Sequence, residues 1–361
     1  MRSGRSGTGA VSTRRPCVAL AALIIGVILA ACGGADGVAP TTAPSVAETP
    51  ATTPVAPSPP EPLTVTAGFY PLAFLAQRVG GDQVVVTNLT PPGGDSHDLE
   101  LGPRQVADVE AADLVLLIPG FMPALDQAAE SRTGGVIDVA GAVELIAGDD
   151  GHDHDHGDEK GHDHGDEKGH DHGDEEGHDH GDEEGHDHGP NDPHIWLDPM
   201  NMSAMAGLLA EQFSAAQPAS AELFTANAQR LQAELSTLDK EWRDGTAQCR
   251  NRDLVTAHEA FGYLARRYDF TQRGITGLSP EAEPSPRKAA EIADYVRANG
   301  VETIYYEVLI DPAIAEAIAS ETGARTATLD PIESLAADSS EDYLSIMRAN
   351  LRAVQVGNGC S

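Results

Sequence analysis

The stretch PASAELFTANAQRLQAELSTLDKEWRDGTAQ, residues 218–248, carries the longest helical signal in the chain. Pro218 suits a first turn. Phe224, Ala228, Leu231, Leu235, Leu238 and Trp242 recur at alternating steps of four and three, which puts them on one stripe. Such a stripe fits a coiled-coil dimer; it fits equally a helix buried against both halves of one α/β chain, and the second is expected here. At 1.5 Å per residue the rod is about 45 Å long. It stands between two halves that read alike. Before it, 63–69 and 84–89 are short β-branched runs separated by helical spacing over 71–79. A helix at 103–111, the apolar run 114–118 and a short strand at 136–139 follow. After it, 253–257, 303–308 and 326–329 read as strands, with helices at 285–299 and 312–321. Strands alternating with helices at this spacing imply βαβ units and parallel sheets. The expected fold class is therefore α/β: two lobes, 63–217 and 249–361, each with a mainly parallel β-sheet flanked by helices, joined by one long backbone helix over 218–248.

The chain's 361 residues suffice for two domains with real cores. Lys and Arg number 23 against 57 Asp and Glu, a formal charge of −34, so phosphate-driven nucleic-acid binding has no electrostatic footing and an anionic membrane surface would repel the protein. Residues 151–189 carry −14 of that charge and 11 of the 14 histidines. Only His97, His194 and His258 lie elsewhere.

Arg14 and Arg15 precede an apolar run over 18–31 that is shorter than the roughly 20 residues a spanning helix needs. A positive flank and a short apolar core read instead as an export signal over 1–31. The run ends Leu29-Ala30-Ala31-Cys32, which resembles a bacterial lipobox and implies cleavage before a lipidated Cys32. The remainder of 32–62, rich in Pro, Thr, Ala and Ser, reads as a solvated tether. The protein is thus expected at the extracytoplasmic face of a membrane, held by its lipid. If Cys32 carries lipid and Cys17 leaves with the signal, Cys249 and Cys360 remain; an even pair in an oxidising setting suggests a disulfide, against two buried free thiols.

Within the insert, 149–190, the unit GHDHGDEK begins at Gly161 and returns with small changes at Gly169, Gly177 and Gly185. With almost no apolar residues it cannot offset its ordering entropy and is expected to be a disordered loop. Its His-x-His pairs beside Asp and Glu are expected to form weak, flexible sites for borderline cations. The imidazoles are His152, His154, His156, His162, His164, His170, His172, His178, His180, His186 and His188.

The other three histidines stand at expected strand ends or loops: His97 in PPGGDSHDLE (91–100), His194 in NDPHIWLDP (191–199) and His258 in VTAHEAFGYL (255–264). Strand ends are where α/β sheets place ligands. Together these pieces resemble the metal-binding lipoproteins of bacterial ABC importers, in the zinc-uptake, ZnuA-like branch, over about 63–357. The resemblance implies a metal in the cleft between two lobes, held by His97, His194 and His258, with Asp330 of TLDPI (328–332) as the fourth ligand. It also implies delivery to an ABC permease and its ATPase, and a monomer. Three imidazoles and a carboxylate suit Zn²⁺, whereas Mn²⁺ prefers more oxygen; copper and nickel also accept imidazole. Glu100, Asp198 and Glu259 stand near the histidines as candidates for orienting their rings. A zinc hydrolase fares poorly: His258-Glu259 begins like a zincin helix, but the second His would fall on Gly262, and no Gly-x-Ser-x-Gly elbow or Walker loop is present. No enzyme is expected. The remaining rivals are a manganese receptor of the same family and a surface metal buffer or adhesin.

Overall fold

A computed structural model describes residues 60–148, 191–309 and 311–361. The export signal, Cys32, most of the tether and the histidine-rich insert lie outside the described residues. The first half runs β1 (Leu63–Ala67), α1 (Tyr70–Gly80), β2 (Val84–Asn88), α2 (Pro103–Ala111), β3 (Leu114–Leu117), α3 (Pro123–Glu130) and β4 (Val136–Asp138). Two helices follow, α4 (Pro199–Ala216) and α5 (Ala221–Thr246). The second half runs β5 (Asp253–Thr256), α6 (Gly262–Tyr268), β6 (Thr271–Gly274), α7 (Pro286–Asn299), β7 (Thr303–Tyr306), α8 (Ala313–Thr322) and β8 (Arg325–Thr328), and α9 (Tyr343–Gly357) closes the chain.

Each half is one four-stranded sheet, in the orders β2-β1-β3-β4 and β6-β5-β7-β8, with every neighbouring pair parallel. The α/β expectation and the repeated topology hold. In both sheets the order reverses beside the first strand, so the carboxyl ends of β1 and β5 form a natural crevice. The inner strand β3 is buried along its whole length, while the edge strand β6, Thr-Gln-Arg-Gly, is largely polar. That polarity is why its sequence gives no strand signal.

The stripe of α5 is buried as expected: Phe224, Leu231, Leu235, Leu238 and Trp242 are fully covered and Ala228 nearly so. At about 1.5–3 kcal/mol per buried large apolar side chain, this seam alone contributes substantially to the fold. The helix is shorter than expected, because Pro218–Ser220 forms a separate 3-10 turn before it. It does not act as a bare rod. α4 packs along it after a short connection, α9 packs on it from the other end of the chain, and one apolar core continues from β1 through α5 to α9. A smaller cluster, with Val255, Ile304, Ile292, Val296 and Ile318, fills the space between the second sheet and α7 and α8.

Cys249, just after α5, is bonded to Cys360, just after α9, across a sequence separation of 111. The link ties the last helix to the seam. By chain entropy, closing so long a loop is worth about 2–4 kcal/mol. Replacing both cysteines by Ser is therefore expected to lower the thermal midpoint of the metal-free protein by on the order of 5–15 °C. A calorimetric scan with no shift would contradict that role.

Candidate metal centre

His97 and His258 lie on loops that leave the carboxyl ends of β2 and β5, and His194 lies on the segment that leads into α4. After β2 the chain turns at Gly93, whose φ of 75° suits glycine, and Asp95 Oδ1 accepts the His97 backbone N–H at 2.7 Å. The His97 ring packs edge-on to Phe121, 4.6 Å between centroids. The second histidine sits in a segment whose every residue has a task. Asp192 Oδ1 accepts the His194 backbone N–H at 2.9 Å and pairs with ring Nδ1 at 2.7 Å. Ile195, Trp196 and Leu197 are fully buried, and Asp198 Oδ1 caps α4 by accepting the Met200 N–H at 2.7 Å. His258 lies two residues past β5, with ring Nδ1 paired to Glu307, the residue that follows β7.

All three rings point Nε2 at one spot, and Glu333 Oε1, beyond β8, joins them. The four atoms lie within 4.8 Å of one another. Glu333 Oε1 stands 3.4 Å from His97 Nε2, 3.7 Å from His194 Nε2 and 3.4 Å from His258 Nε2, and the last two nitrogens are 3.4 Å apart. A tetrahedron with bonds of about 2.0–2.1 Å has edges of about 3.3–3.4 Å, so these separations suit one small four-coordinate cation. The histidines are at most 2% exposed and Glu333 8%, and among the described residues Glu333 Oε1 accepts no well-aligned hydrogen bond, its near neighbours being the three imidazole nitrogens. A buried carboxylate oxygen needs a cation beside it, which a protonated imidazole supplies in the metal-free cluster and a bound metal ion would replace.

Two rings have their tautomer set by the same device. A carboxylate on Nδ1 takes that ring N–H, so Nε2 is the nitrogen left to face the cluster. The electrostatics differ between them. Burial lowers the His194 pKa, and Asp192 only partly opposes it. Burial would lower His258 too, but Glu307, with Glu333, outweighs it and pushes the group up to about 10. Burial would raise Glu333, yet the imidazoles of His97 and His258 hold it well below the usual carboxylate range.

The family model for the zinc-uptake complex component A, periplasmic (ZnuA), matches residues 65–357. This chain belongs to the ZnuA family. The zinc-binding lipoprotein AdcA of Streptococcus pneumoniae (strain R6) is 32% identical over 302 residues, 81% of this chain and 55% of AdcA. The high-affinity zinc uptake system protein ZnuA of Bacillus subtilis is 31% identical over 303 residues, 83% of this chain and 89% of that protein. The chain thus spans about half the length of the AdcA relatives and most of the Bacillus one. The crystal structure of the Zn(II)-bound ZnuA-like domain of pneumococcal AdcA superimposes with a TM-score of 0.62 at 29% identity, covering 82% of this chain and 99% of that domain.

Set on this ZnuA-family frame, the sequence expectations for His97, His194 and His258 meet at one place, and the fourth corner differs. Glu333, not Asp330, closes the cluster. Asp330 lines the adjoining cavity with Glu307 and Glu333, while its Oδ1 accepts the Ile332 N–H at 2.7 Å. Burial pushes its pKa up to about 6. The expected ring-orienting carboxylates differ as well. Asp198 caps α4 and pairs with Arg267, Glu259 Oε1 accepts the Gly274 N–H at 3.3 Å, and Glu100 is exposed. Asp192 and Glu307 orient the rings instead. Asp192 was in view in the quoted motif. Glu307 had one signal, an acidic residue closing the apolar run 303–306. The absence of a zincin histidine at 262 also has a local reason: a Cβ on Gly262 would stand 2.6 Å from Asp192 Oδ2.

Proposed function

We propose that this chain is an extracytoplasmic receptor that captures Zn²⁺ between its two lobes and passes it to an ABC permease and its ATPase. The observation that carries the reading is the convergence of three Nε2 atoms and one carboxylate oxygen, all buried, with two of the rings oriented by carboxylates. His97, His194, His258 and Glu333 are the proposed ligands. Three imidazoles favour zinc over manganese, which prefers more oxygen. A complete four-ligand shell leaves no open position for a reactive water, so the site suits capture and not catalysis. The zinc-binding and zinc-uptake relatives support the same cargo. Cys32 is the proposed lipid anchor, with 33–62 as tether, and the eleven histidines of 149–190 are proposed as weak accessory metal sites.

The design of the test follows from the fold. Ala147 and Asn191 form an antiparallel bridge, so the two ends of the insert leave the body side by side and a two-residue turn can replace 149–190. The shortened protein is expected to retain one tightly held zinc per chain and to prefer it to manganese under competition, as read by metal analysis after dialysis. Loss of all tight zinc with the insert would transfer the function to the histidine-rich segment, and manganese retained over zinc would overturn the choice of cargo.

A further inference from the structure

Asp330 sits three residues before the carboxylate that closes the cluster, and the chain between them is unusual. β8 ends at Thr328, and the path then reverses through Asp330-Pro331-Ile332-Glu333. Ile332 has φ of 62°, a left-handed conformation that a β-branched residue avoids, and its side chain is fully buried. Ile332 in the ordinary extended region would send the next residue along another path, so this bend is what carries Glu333 to the histidines.

Every residue of the turn is held by one specific partner. Asn350 of α9 clamps Asp330, accepting its N–H at 2.9 Å and donating to its carbonyl at 2.7 Å. Trp196 Nε1 donates to the Pro331 carbonyl at 2.7 Å, and Ser96 Oγ donates to the Glu333 carbonyl at 3.2 Å. Trp196 is two residues from His194, and Ser96 adjoins His97. Ile332, the strained member, is held by Asp330 itself, whose Oδ1 accepts the Ile332 N–H at 2.7 Å.

We propose that Asp330 is a positioning residue: its side-chain oxygen locks the left-handed turn at Ile332 and thereby delivers Glu333 to the cation, without touching the cation itself. The assignment rests on the proposed zinc site of His97, His194, His258 and Glu333. It makes the oxygen, not the charge, the property that matters.

Three variants of the mature protein separate these roles by zinc competition titration, with the metal-free thermal midpoint measured alongside. Asp330→Asn keeps an oxygen that can accept the Ile332 N–H and is expected to bind zinc within about threefold of the parent. Asp330→Ala removes it and is expected to weaken binding about 10–100-fold, the range for residues that orient a ligand. Ile332→Gly placed in the Asp330→Ala background is the third. Glycine adopts positive φ without steric cost, so this double variant is expected to regain part of the lost affinity while its metal-free midpoint falls further for want of the buried Ile side chain. General destabilisation cannot move the two readouts in opposite directions. Asp330→Asn as weak as Asp330→Ala, or Asp330→Ala as tight as the parent, would overturn the proposal while a Glu333→Ala control still loses zinc. Glu333→Ala binding as the parent does would instead overturn the site reading, and this assignment with it.

Discussion

Replacing His194 by Ala is expected to weaken zinc binding by at least about a hundredfold. Zinc held by a complete protein shell is worth about 10–16 kcal/mol at neutral pH, so one ligand of four accounts for roughly 3 kcal/mol, or about two orders of magnitude. His194 is the ligand to choose, because it is fully buried, its ring is fixed by Asp192, and Trp196 beside it anchors the turn that carries Glu333. Asp192→Asn should cost less, about 10–100-fold, since the ring persists and only its orientation and basicity suffer. The same order should appear in the zinc-dependent rise of the thermal midpoint, because a ligand that binds only the folded state stabilises it in proportion to the logarithm of its excess over Kd. Titration against a competing chelator measures both series. A His194→Ala variant as tight as the parent would remove His194 from the site.

Zinc affinity is expected to rise with pH between roughly pH 6 and 8.5, His258 by itself contributing about tenfold per unit and one released proton per ion bound. The sign follows from the metal-free cluster. His258 faces Glu307 on Nδ1 and Glu333 and His194 around Nε2, and the carboxylates raise its pKa to about 10 against the effect of burial. Throughout this window it therefore holds a proton that zinc must expel. His194, lowered by burial, and Glu333, held well below its usual range, present their binding forms already and add no proton to the exchange there. Lower pH favours the protonated, metal-free state; higher pH favours the loaded one. Calorimetry in two buffers of different ionisation enthalpy counts the protons. Glu307→Gln, which removes the carboxylate on Nδ1, should flatten the slope near neutral pH, and an unchanged profile in that variant would contradict the account.

The cysteine pair and the stripe of α5 show how far composition and periodicity reach. With one cysteine assigned to the signal and another to lipid, Cys249 and Cys360 had only each other as partners, and they are bonded. The six apolar positions of 224–242 fitted a coiled-coil seam or a core within the chain, and the core is what covers them. α4 is the instructive omission. Asp198 caps it and Pro199 opens its first turn, but Met200–Ala216 is apolar on more than one face, so no stripe stands out. That breadth is itself the result of being packed between α1 and α5.

What the sequence determined by itself was everything that local chemistry and counting can reach: alternating strands and helices, and therefore two parallel sheets, and three histidines set apart from an acidic repeat. Tertiary structure alone decided which carboxylates serve them. Glu307 is 49 residues from His258 and meets it because β5 and β7 are neighbours in the sheet. Asp330 and Glu333 lie within one short turn and are equally acidic on paper. The positive φ of Ile332, held by contacts from α9 and from the segments beside His97 and His194, decides between them. A ligand's position is a property of how distant segments close on one another, and neither spacing nor residue type along the chain encodes that closure.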